Sequence, residues 1–298
     1  MNTSLKAFLD LTRAHFFFAW PLLFCSGLVL AFENYGNFSW LLTIKVACIG
    51  LIGFEAGFVL NDYIDREYDK KDVDTDGLTR YWRPFKERPI PSGLIPPTKV
   101  LVLFVIVVIL VILLTLTLPW PHLLFISAIG VYSYSIEFFY QLKKRNQTLP
   151  IAQLLGRTDF ALFPVAGYLT YGNPDLTALI YFVFFYPFAE AHLGINDLAD
   201  VRNDEARGMK TVSTLYGTRG STQWIFGFSL LHLIAAFFFM TMLSVVTRIG
   251  FVLGMCIIIF ANYRILKEKS ASVALRVLPL FHVTMVIYAG AIILGYVV

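Results

Sequence analysis

The sequence predicts an all-α polytopic membrane protein of nine transmembrane helices, built as two pseudo-repeated halves around a central cavity open to the cytoplasmic side. Three observations carry this expectation. The 298 residues are 57% hydrophobic and only 15% charged, against about 25% charged in a soluble domain, and the mean hydropathy is +0.69. The apolar residues gather into stretches of about 20, the length that crosses a bilayer as a helix. The basic residues fall almost wholly on one side of those stretches, the asymmetry that orients membrane proteins. The same composition excludes a disordered chain. A net charge of +4 offers no footing for a nucleic-acid partner. A membrane barrel would alternate with period two, whereas Val100 to Leu116 is apolar without alternation.

Taken in order, the apolar stretches cover 14–32, 39–62, 98–119, 121–141, 150–171, 176–198, 221–245, 248–268 and 273–297. The first has the length of a signal-peptide core but no small-x-small cleavage site, so it reads as a span. Of the 24 basic residues, all but Lys45, Arg157 and Arg248 lie in the N-terminal segment or in every second connection. The N-terminus is therefore expected in the cytoplasm and the C-terminus outside. Residues 1–298 read as a single membrane-embedded domain with two cytoplasmic cap loops, about 66–97 and 203–220. The first holds five of the 13 prolines: Pro84, Pro89, Pro91, Pro96 and Pro97. Loops of that length are commonly functional. Cys25, Cys48 and Cys256 sit inside apolar runs, a pattern of neither a disulfide framework nor a zinc site.

The acids are the informative residues. Thirteen of the 20 lie in two windows, 55–76 and 190–205, and the windows repeat each other. Glu55-Ala56 followed by Asn61-Asp62-x-x-Asp65-x-x-x-Asp69 recurs as Glu190-Ala191 followed by Asn196-Asp197-x-x-Asp200-x-x-x-Asp204, each pair offset by 135 positions. Four predicted spans separate the two motifs, so both end on the same side, as parallel repeats do. On a helix, residues i, i+4 and i+8 fall within an arc of about 80°, so each motif aims hard oxygens in one direction. Two such stripes facing each other would repel strongly and call for cations. Oxygen ligands favour Mg²⁺ or Ca²⁺, and Mg²⁺ commonly takes one or two carboxylates plus substrate phosphates. The pairing therefore points to a magnesium-bridged phosphate or diphosphate. Acids at membrane depth default to a functional reading; the bland alternative is a pair of solvated helix ends.

With these residues in view, the chain resembles the UbiA superfamily of intramembrane prenyltransferases. Asn61-Asp62-x-x-Asp65-x-x-x-Asp69 is similar to that family's first aspartate-rich motif, and Asp200-x-x-x-Asp204 to its second. Arg88-Pro89-Ile90-Pro91-Ser92-Gly93, Gly208-x-Lys210-Thr211, and Tyr140-x-x-x-Lys144-Arg145 with Leu149-Pro150 and Gly156 resemble its flanking segments. The resemblance covers roughly residues 10–220. Where some members carry Tyr and Lys ahead of the second motif, this chain has Leu193 and Asn196, closer to the naphthoate-accepting branch.

The resemblance implies Mg²⁺-dependent transfer of an isoprenoid chain from a polyprenyl diphosphate, for example geranylgeranyl diphosphate, within the membrane lipid. The expected acceptor is an aromatic quinone precursor; the alternative is a lipid precursor such as a prenylated glycerol phosphate. Asp65, Asp69, Asp200 and Asp204 are the expected catalytic residues. Asn61, Asp62, Asp65, Asp69, Asn196, Asp197, Asp200 and Asp204 are the expected metal set. Lys144 and Lys210, by motif position, with Arg145, Arg88, Arg13 and Arg66 are candidates for the diphosphate through charge-assisted hydrogen bonds. Tyr132, Tyr134 and Tyr140 are candidates to shield the allylic cation by cation–π attraction.

Other features have plainer readings. Gly50, Gly53 and Gly57 suit close helix packing. Asp72-x-Asp74-x-Asp76-Gly77 opens like an EF-hand loop, but Arg83 stands where the bidentate Glu belongs. Arg157 and Asp159 lie in the fifth span, able to reach the cavity or to pair structurally. Glu55 and Glu190 lie one layer deeper than the motifs. His192 replaces Gly57 in the repeat and reads as a packed histidine. A reading from a different class, an ion-coupled secondary transporter, would place its acids at the midplane rather than at one surface.

Overall fold

The computed structural model describes residues 3–298; the first two residues of the predicted 1–298 domain lie outside it. Every regular element among the described residues is helical. The elements are α1 (Thr3–Leu11), a 3₁₀ turn (Ala14–Phe16), α2 (Ala19–Tyr35), α3 (Trp40–Asp69), α4 (Leu78–Trp82), α5 (Pro97–Thr115), α6 (His122–Lys143) and α7 (Ile151–Gly156). They continue with α8 (Thr158–Leu169), α9 (Leu176–Ala199), α10 (Val201–Arg207), α11 (Val212–Met240), α12 (Val245–Glu268) and α13 (Ala271–Val297).

Local chemistry sets the ends. Ser39, Asp175, Ser244 and Ser270 accept backbone N–H groups at the starts of α3, α9, α12 and α13, relieving donors that a helix start leaves unpaired. Pro97 opens α5, where its missing N–H is harmless. Gly208, at φ 72°, ends α10 in the left-handed conformation that closes a helix without strain only for a residue lacking Cβ.

Among the described residues eight helices are long and apolar enough to cross a membrane: Ala14–Tyr35, α3, α5, α6, α9, α11, α12 and α13. The chain is thus a multi-pass integral membrane protein. The ninth expected span, 150–171, differs: it is two shorter helices, α7 and α8, meeting at Arg157 (φ −81°, ψ −3°). The physical reason is local. Gly156 stands against the Tyr140 ring, where a Cβ would lie 2.7 Å from it, and the charged Arg157 turns inward. The joint is shallow: Arg157 keeps right-handed helical φ/ψ, and hydrogen bonds of 3.1 Å from Arg157 N to Gln153 O and from Ala161 N to Arg157 O run across it. The seventh stretch also begins earlier than expected, with α11 starting at Val212 and kinked at Gly217 (φ 66°).

The second acidic motif is jointed where a continuous stripe was expected. α3 runs unbroken to Asp69, but α9 stops at Ala199, and Asp200 (φ −101°, ψ 10°) links it to α10. Hydrogen bonds of 2.9 Å from Asp200 N to Asn196 O and from Asp204 N to Asp200 O keep the motif on its face.

α2 and α9 form the centre of the bundle, each with 72% of its apolar window buried, while α5 and α6 have 11% and face outward. α2 packs on α3 and α8 on α9; α3 packs on α5 and α9 on α11, so the neighbours mirror each other in the two halves. α2 and α8 cross at backbone contact: a Cβ on Gly167 would lie 1.8 Å from the Phe24 carbonyl oxygen, and one on Gly27 1.9 Å from that of Pro164. Of the glycines expected to pack helices, Gly50 does lie against the Phe24 side chain, but Gly53 and Gly57 face open space. Their role is the reverse of the packing expectation: they leave a void.

This contrast is testable. Gly167→Ala is expected to destabilise the protein by about 1–3 kcal/mol through overpacking against backbone, whereas Gly53→Ala is expected to be neutral or slightly stabilising. Thermal melting of the two variants in one detergent checks the difference.

Candidate active site

The acidic motifs meet at one end of the bundle. Asn61, Asp65 and Asp69 from α3 and Asn196, Asp197, Asp200 and Asp204 from α9 and α10 line a single cavity of about 200 Å³. The cavity also takes Arg13, Arg83, Arg88, Lys144, Arg157 and Arg207. Asp62 stands apart, turned into an ion pair with Arg13 at 2.9 Å and Arg83 at 3.0 Å.

The carboxylates facing each other are held by guanidinium and ammonium groups. Asp65 receives Lys144 Nζ at 2.6 Å and Arg145 Nη2 at 2.9 Å. Asp69 receives Arg88 Nη1 at 2.7 Å. Arg207 sits between the motifs: its Nε donates to Asp72 at 2.6 Å, its Nη1 to Asp200 at 3.2 Å, and it lies 3.4 Å from Asp69 and 3.7 Å from Asp204. Thr211 Oγ1 donates to Asp204 at 3.1 Å. Burial opposes the charges of Arg88 and Arg207, yet Asp69, Asp72 and Asp200 more than offset it and raise both guanidinium pKa values. Burial, with the neighbouring charges of Asp200 and Asp197, raises the Asp204 carboxyl well above the usual range.

The cap loops are ordered by the same economy of charge. Asn203 accepts the N–H groups of Val73 and Asp74 and donates to Asp200 at 2.7 Å, tying the first cap to α10. Asp10 accepts the N–H groups of Phe85 and Glu87 at 2.6 and 3.1 Å. Ala7 and Leu11 of α1 pack with Ile90 and Ile95 of the cap. Asp72 is committed to Arg88 and Arg207, and Asp74 accepts the Asp76 and Gly77 N–H groups; the EF-hand-like acids thus serve the cap.

Below the charged layer the wall turns aromatic. Trp20, Phe54, Phe58, Trp82 and Phe160 line the cavity, with Trp20 and Phe54 stacked at 3.8 Å between centroids. Trp82 Nε1 donates to Asn196 Oδ1 at 3.1 Å. His192 shares a hydrogen bond of 2.9 Å with His282, whose other ring nitrogen meets Tyr81 Oη at 2.6 Å. A second cavity, about 520 Å³ and largely apolar, runs alongside between α3, α5, α6 and α8. It shares Phe54, Phe58, Asn61, Arg157 and Phe160 with the charged cavity.

Several residues singled out in the sequence are not brought to the charged cavity. Tyr132 is 40% exposed and bonds Thr158. Arg66 bonds the Tyr63 carbonyl and lies near Glu67. Lys210 is exposed, its backbone tied to Lys144 and Gln147. Tyr134 lines the apolar cavity and donates to the Gly53 carbonyl at 3.1 Å; Tyr140 lines the charged one. Sequence reasoning missed Arg83, Arg207, Asn203 and Trp82. For Arg207 a signal existed: it lies three and seven residues after Asp204 and Asp200, on their face.

Among the described residues, no three of His, Cys, Asp and Glu stand close enough to form a metal site from protein alone. The donor set nonetheless fits a cation shared with a substrate: its ligands are hard oxygens, and Asp197 Oδ2 is buried with no hydrogen-bond partner. Five carboxylates face six basic side chains around the cavity, so an incoming diphosphate would need added positive charge.

A bundle of membrane-length helices with a charged cavity at one end and an apolar groove beside it has the form of a membrane-embedded enzyme. The chain matches the UbiA prenyltransferase family over residues 18–286 and belongs to it, as a prenyltransferase. It is 26% identical over 271 residues to the digeranylgeranylglyceryl phosphate synthase of Pyrococcus abyssi, covering 89% of this chain and 86% of that one. It is 30% identical over 160 residues to the protoheme IX farnesyltransferase of Aquifex aeolicus, about half of each chain (53% and 50%). A solved digeranylgeranylglyceryl phosphate synthase shares the fold at TM-score 0.69 and 20% identity, covering 99% of both chains. So does a UbiA homolog from Archaeoglobus fulgidus bound to DMAPP and Mg²⁺, at TM-score 0.70 and 14% identity, covering 96% of this chain and 98% of that one.

Removing the central guanidinium leaves carboxylates buried without a partner. Arg207→Gln is expected to destabilise the protein by about 3–5 kcal/mol, the usual effect of breaking a buried pair, and to lower activity more than Arg66→Gln does. Melting temperature and prenyl-transfer rate, measured on both variants, check this.

Proposed function

We propose that the enzyme transfers an isoprenoid chain from a polyprenyl diphosphate to a prenylated glycerol phosphate, with Mg²⁺ as cofactor. The observation that carries the reading is the junction of the two cavities. A charged chamber suited to a diphosphate opens onto an apolar groove of about 520 Å³, a volume in the range that encloses a small apolar ligand.

In this reading Asn61, Asp65, Asp69, Asn196, Asp197, Asp200 and Asp204 hold the cation and so position the diphosphate. Mg²⁺ at the diphosphate oxygens supplies Lewis-acid stabilisation of the leaving group. Lys144, Arg88 and Arg207 exchange part of their ion pairing with the aspartates for charge-assisted bonds to the phosphates; Arg145 and Arg13 hold Asp65 and Asp62 in place. The rings of Trp20, Phe54, Phe58 and Phe160 exclude water from the allylic carbon and stabilise developing positive charge; Tyr140 adds a further ring beside Lys144. Gly53 and Gly57, with no side chain to fill the groove, leave room for the tail. The cap and its site are proposed to face the cytoplasm, on the strength of the basic residues gathered at that end.

The names of the relatives support the lipid acceptor: digeranylgeranylglyceryl phosphate is the product of adding a second geranylgeranyl chain to a glyceryl phosphate. An aromatic quinone precursor is the second reading, favoured by the wall of rings lining the chamber. Family membership weighs against the transporter reading.

Geranylgeranyl diphosphate offered with geranylgeranylglyceryl phosphate, hydroxybenzoate or naphthoate, with and without Mg²⁺, and followed by mass spectrometry, is expected to give Mg²⁺-dependent product with the glyceryl phosphate. An aromatic product instead would install the second reading. Asp65→Ala and Asp200→Ala are expected to abolish Mg²⁺-dependent binding of the prenyl diphosphate; unchanged binding would overturn the site.

Gly57→Leu places a side chain where nothing lies within 4 Å. It is expected to shorten the longest donor used while leaving the melting temperature close to wild type, read from a series of donors of increasing chain length.

A further inference from the structure

Arg157 is the basic residue lining this site that makes no ion pair among the described residues. Arg13, Arg83, Arg88, Lys144 and Arg207 each form an ion pair with a carboxylate. Among the described residues Arg157 forms none: its Nε is buried without a hydrogen-bond partner, and its Cζ lies 5.7 Å from the centroid of the Tyr140 ring. Asp159, Glu137 and Glu190 surround it closely enough to act on its charge, but none reaches it as an ion pair. Asp159 caps the Phe160 N–H and Glu137 accepts from Asn61. A half-buried guanidinium that lines a cavity with no carboxylate in its fork is free to take an oxyanion from outside the chain.

Its position says which partner. Arg157 stands at the joint between α7 and α8. Arg157 also lines both cavities. A diphosphate held by the aspartate motifs, with its tail in the groove, puts its reacting carbon at that junction. The acceptor must bring its nucleophile to the same place, and its own polar end then falls beside Arg157. Lys144 and Arg157 both stand against the Tyr140 ring, 5.0 and 5.7 Å from its centroid, but Lys144, Arg88 and Arg207 are paired with the aspartates and Arg157 is not.

Resting on the function proposed above, we infer that Arg157 binds an oxyanion of the acceptor, a phosphate monoester or a carboxylate, and so selects acceptors that carry one. The shared chemistry is a charge-assisted, two-point hydrogen bond. The acids around Arg157 keep the guanidinium tolerable in the unliganded fold without clamping it.

The experiment compares wild type, Arg157→Gln and Arg157→Lys, as full-length protein in detergent, on two pairs of acceptors. The pairs are geranylgeranylglyceryl phosphate against geranylgeranylglycerol, and 4-hydroxybenzoate against its methyl ester. Arg157→Gln is expected to raise the KM of the anionic member of the productive pair by about tenfold or more, the loss of a charge-assisted bond. KM for geranylgeranyl diphosphate should stay within about twofold, the neutral members should show no difference from wild type, and Arg157→Lys should recover part of the loss. Which pair responds identifies phosphate or carboxylate. Thermal stabilisation by geranylgeranylglyceryl phosphate alone, without donor or Mg²⁺, should likewise disappear in Arg157→Gln if that pair is the productive one. Equal losses on anionic and neutral acceptors, a rise confined to the donor KM, or a fall in melting temperature and kcat with no KM change would each overturn the inference. If wild type prenylates an anionic acceptor and Arg157→Gln does so equally well, the inference alone fails; if wild type prenylates none of these acceptors, the function reading fails and this inference with it.

Discussion

The structure depends on keeping opposed carboxylates together at the end of an apolar bundle. Asp69, Asp200 and Asp204 could not share a chamber this small without cations between them, since like charges in a poorly solvated site repel steeply. Arg207 is the answer the chain carries itself, reaching Asp72, Asp69, Asp200 and Asp204 from one guanidinium. Its five N–H donors and fixed fork make this possible where a lysine could satisfy fewer partners. The caps follow from it. Asp72 lies in the first cap and Arg207 at the end of α10, so the pair that relieves repulsion also closes the roof.

The same economy explains why the ground state of the site is so heavily ion-paired. Lys144, Arg88 and Arg207 are each already bound to an aspartate, and on the function proposed above a metal–diphosphate complex would replace internal pairs with equivalent external ones. The exchange changes partners rather than the number of buried charges, so the dominant desolvation term is spent in folding and not again at binding. Such a site is preorganised for a large anion and its cations together, and poorly matched to either alone.

The acidic motifs and the spans were legible because both signals are local. Helical spacing puts Asn61, Asp65 and Asp69 on one face whatever surrounds them, and hydropathy needs only a window of neighbours. What was not legible depends on distant partners. Arg83 and Arg207 look like ordinary positive-inside charges until Asp62 and Asp72 are seen across from them. The joint at Arg157 between α7 and α8 is invisible to a hydropathy window, which averages one charge among apolar residues. Tyr132 and Tyr134 differ by two positions, yet one faces out and the other lines the groove, because burial on α6 is decided by which neighbours cover it. Gly53 and Gly57 read as packing residues on the usual membrane rule, but that rule cannot tell a glycine that admits a helix from one that leaves a void.

The repeat shows where the two halves part in purpose. Advancing Gly50, Gly53 and Gly57 by the repeat offset of 135 gives Phe185, Phe188 and His192. In the first half these positions are empty of side chain, and two of them line the groove. In the second half Phe185 and Phe188 are each 1% exposed, and Phe188 packs against His232 and Phe281. His192 bonds His282 of α13, a helix beyond the repeated pairs. One half of the repeat is thus filled with rings and buttressed by an extra helix, while the other keeps its hollow. On the function proposed above, the acidic motifs are alike because both face one anion, and the layer beneath them differs because only one tail has to be housed.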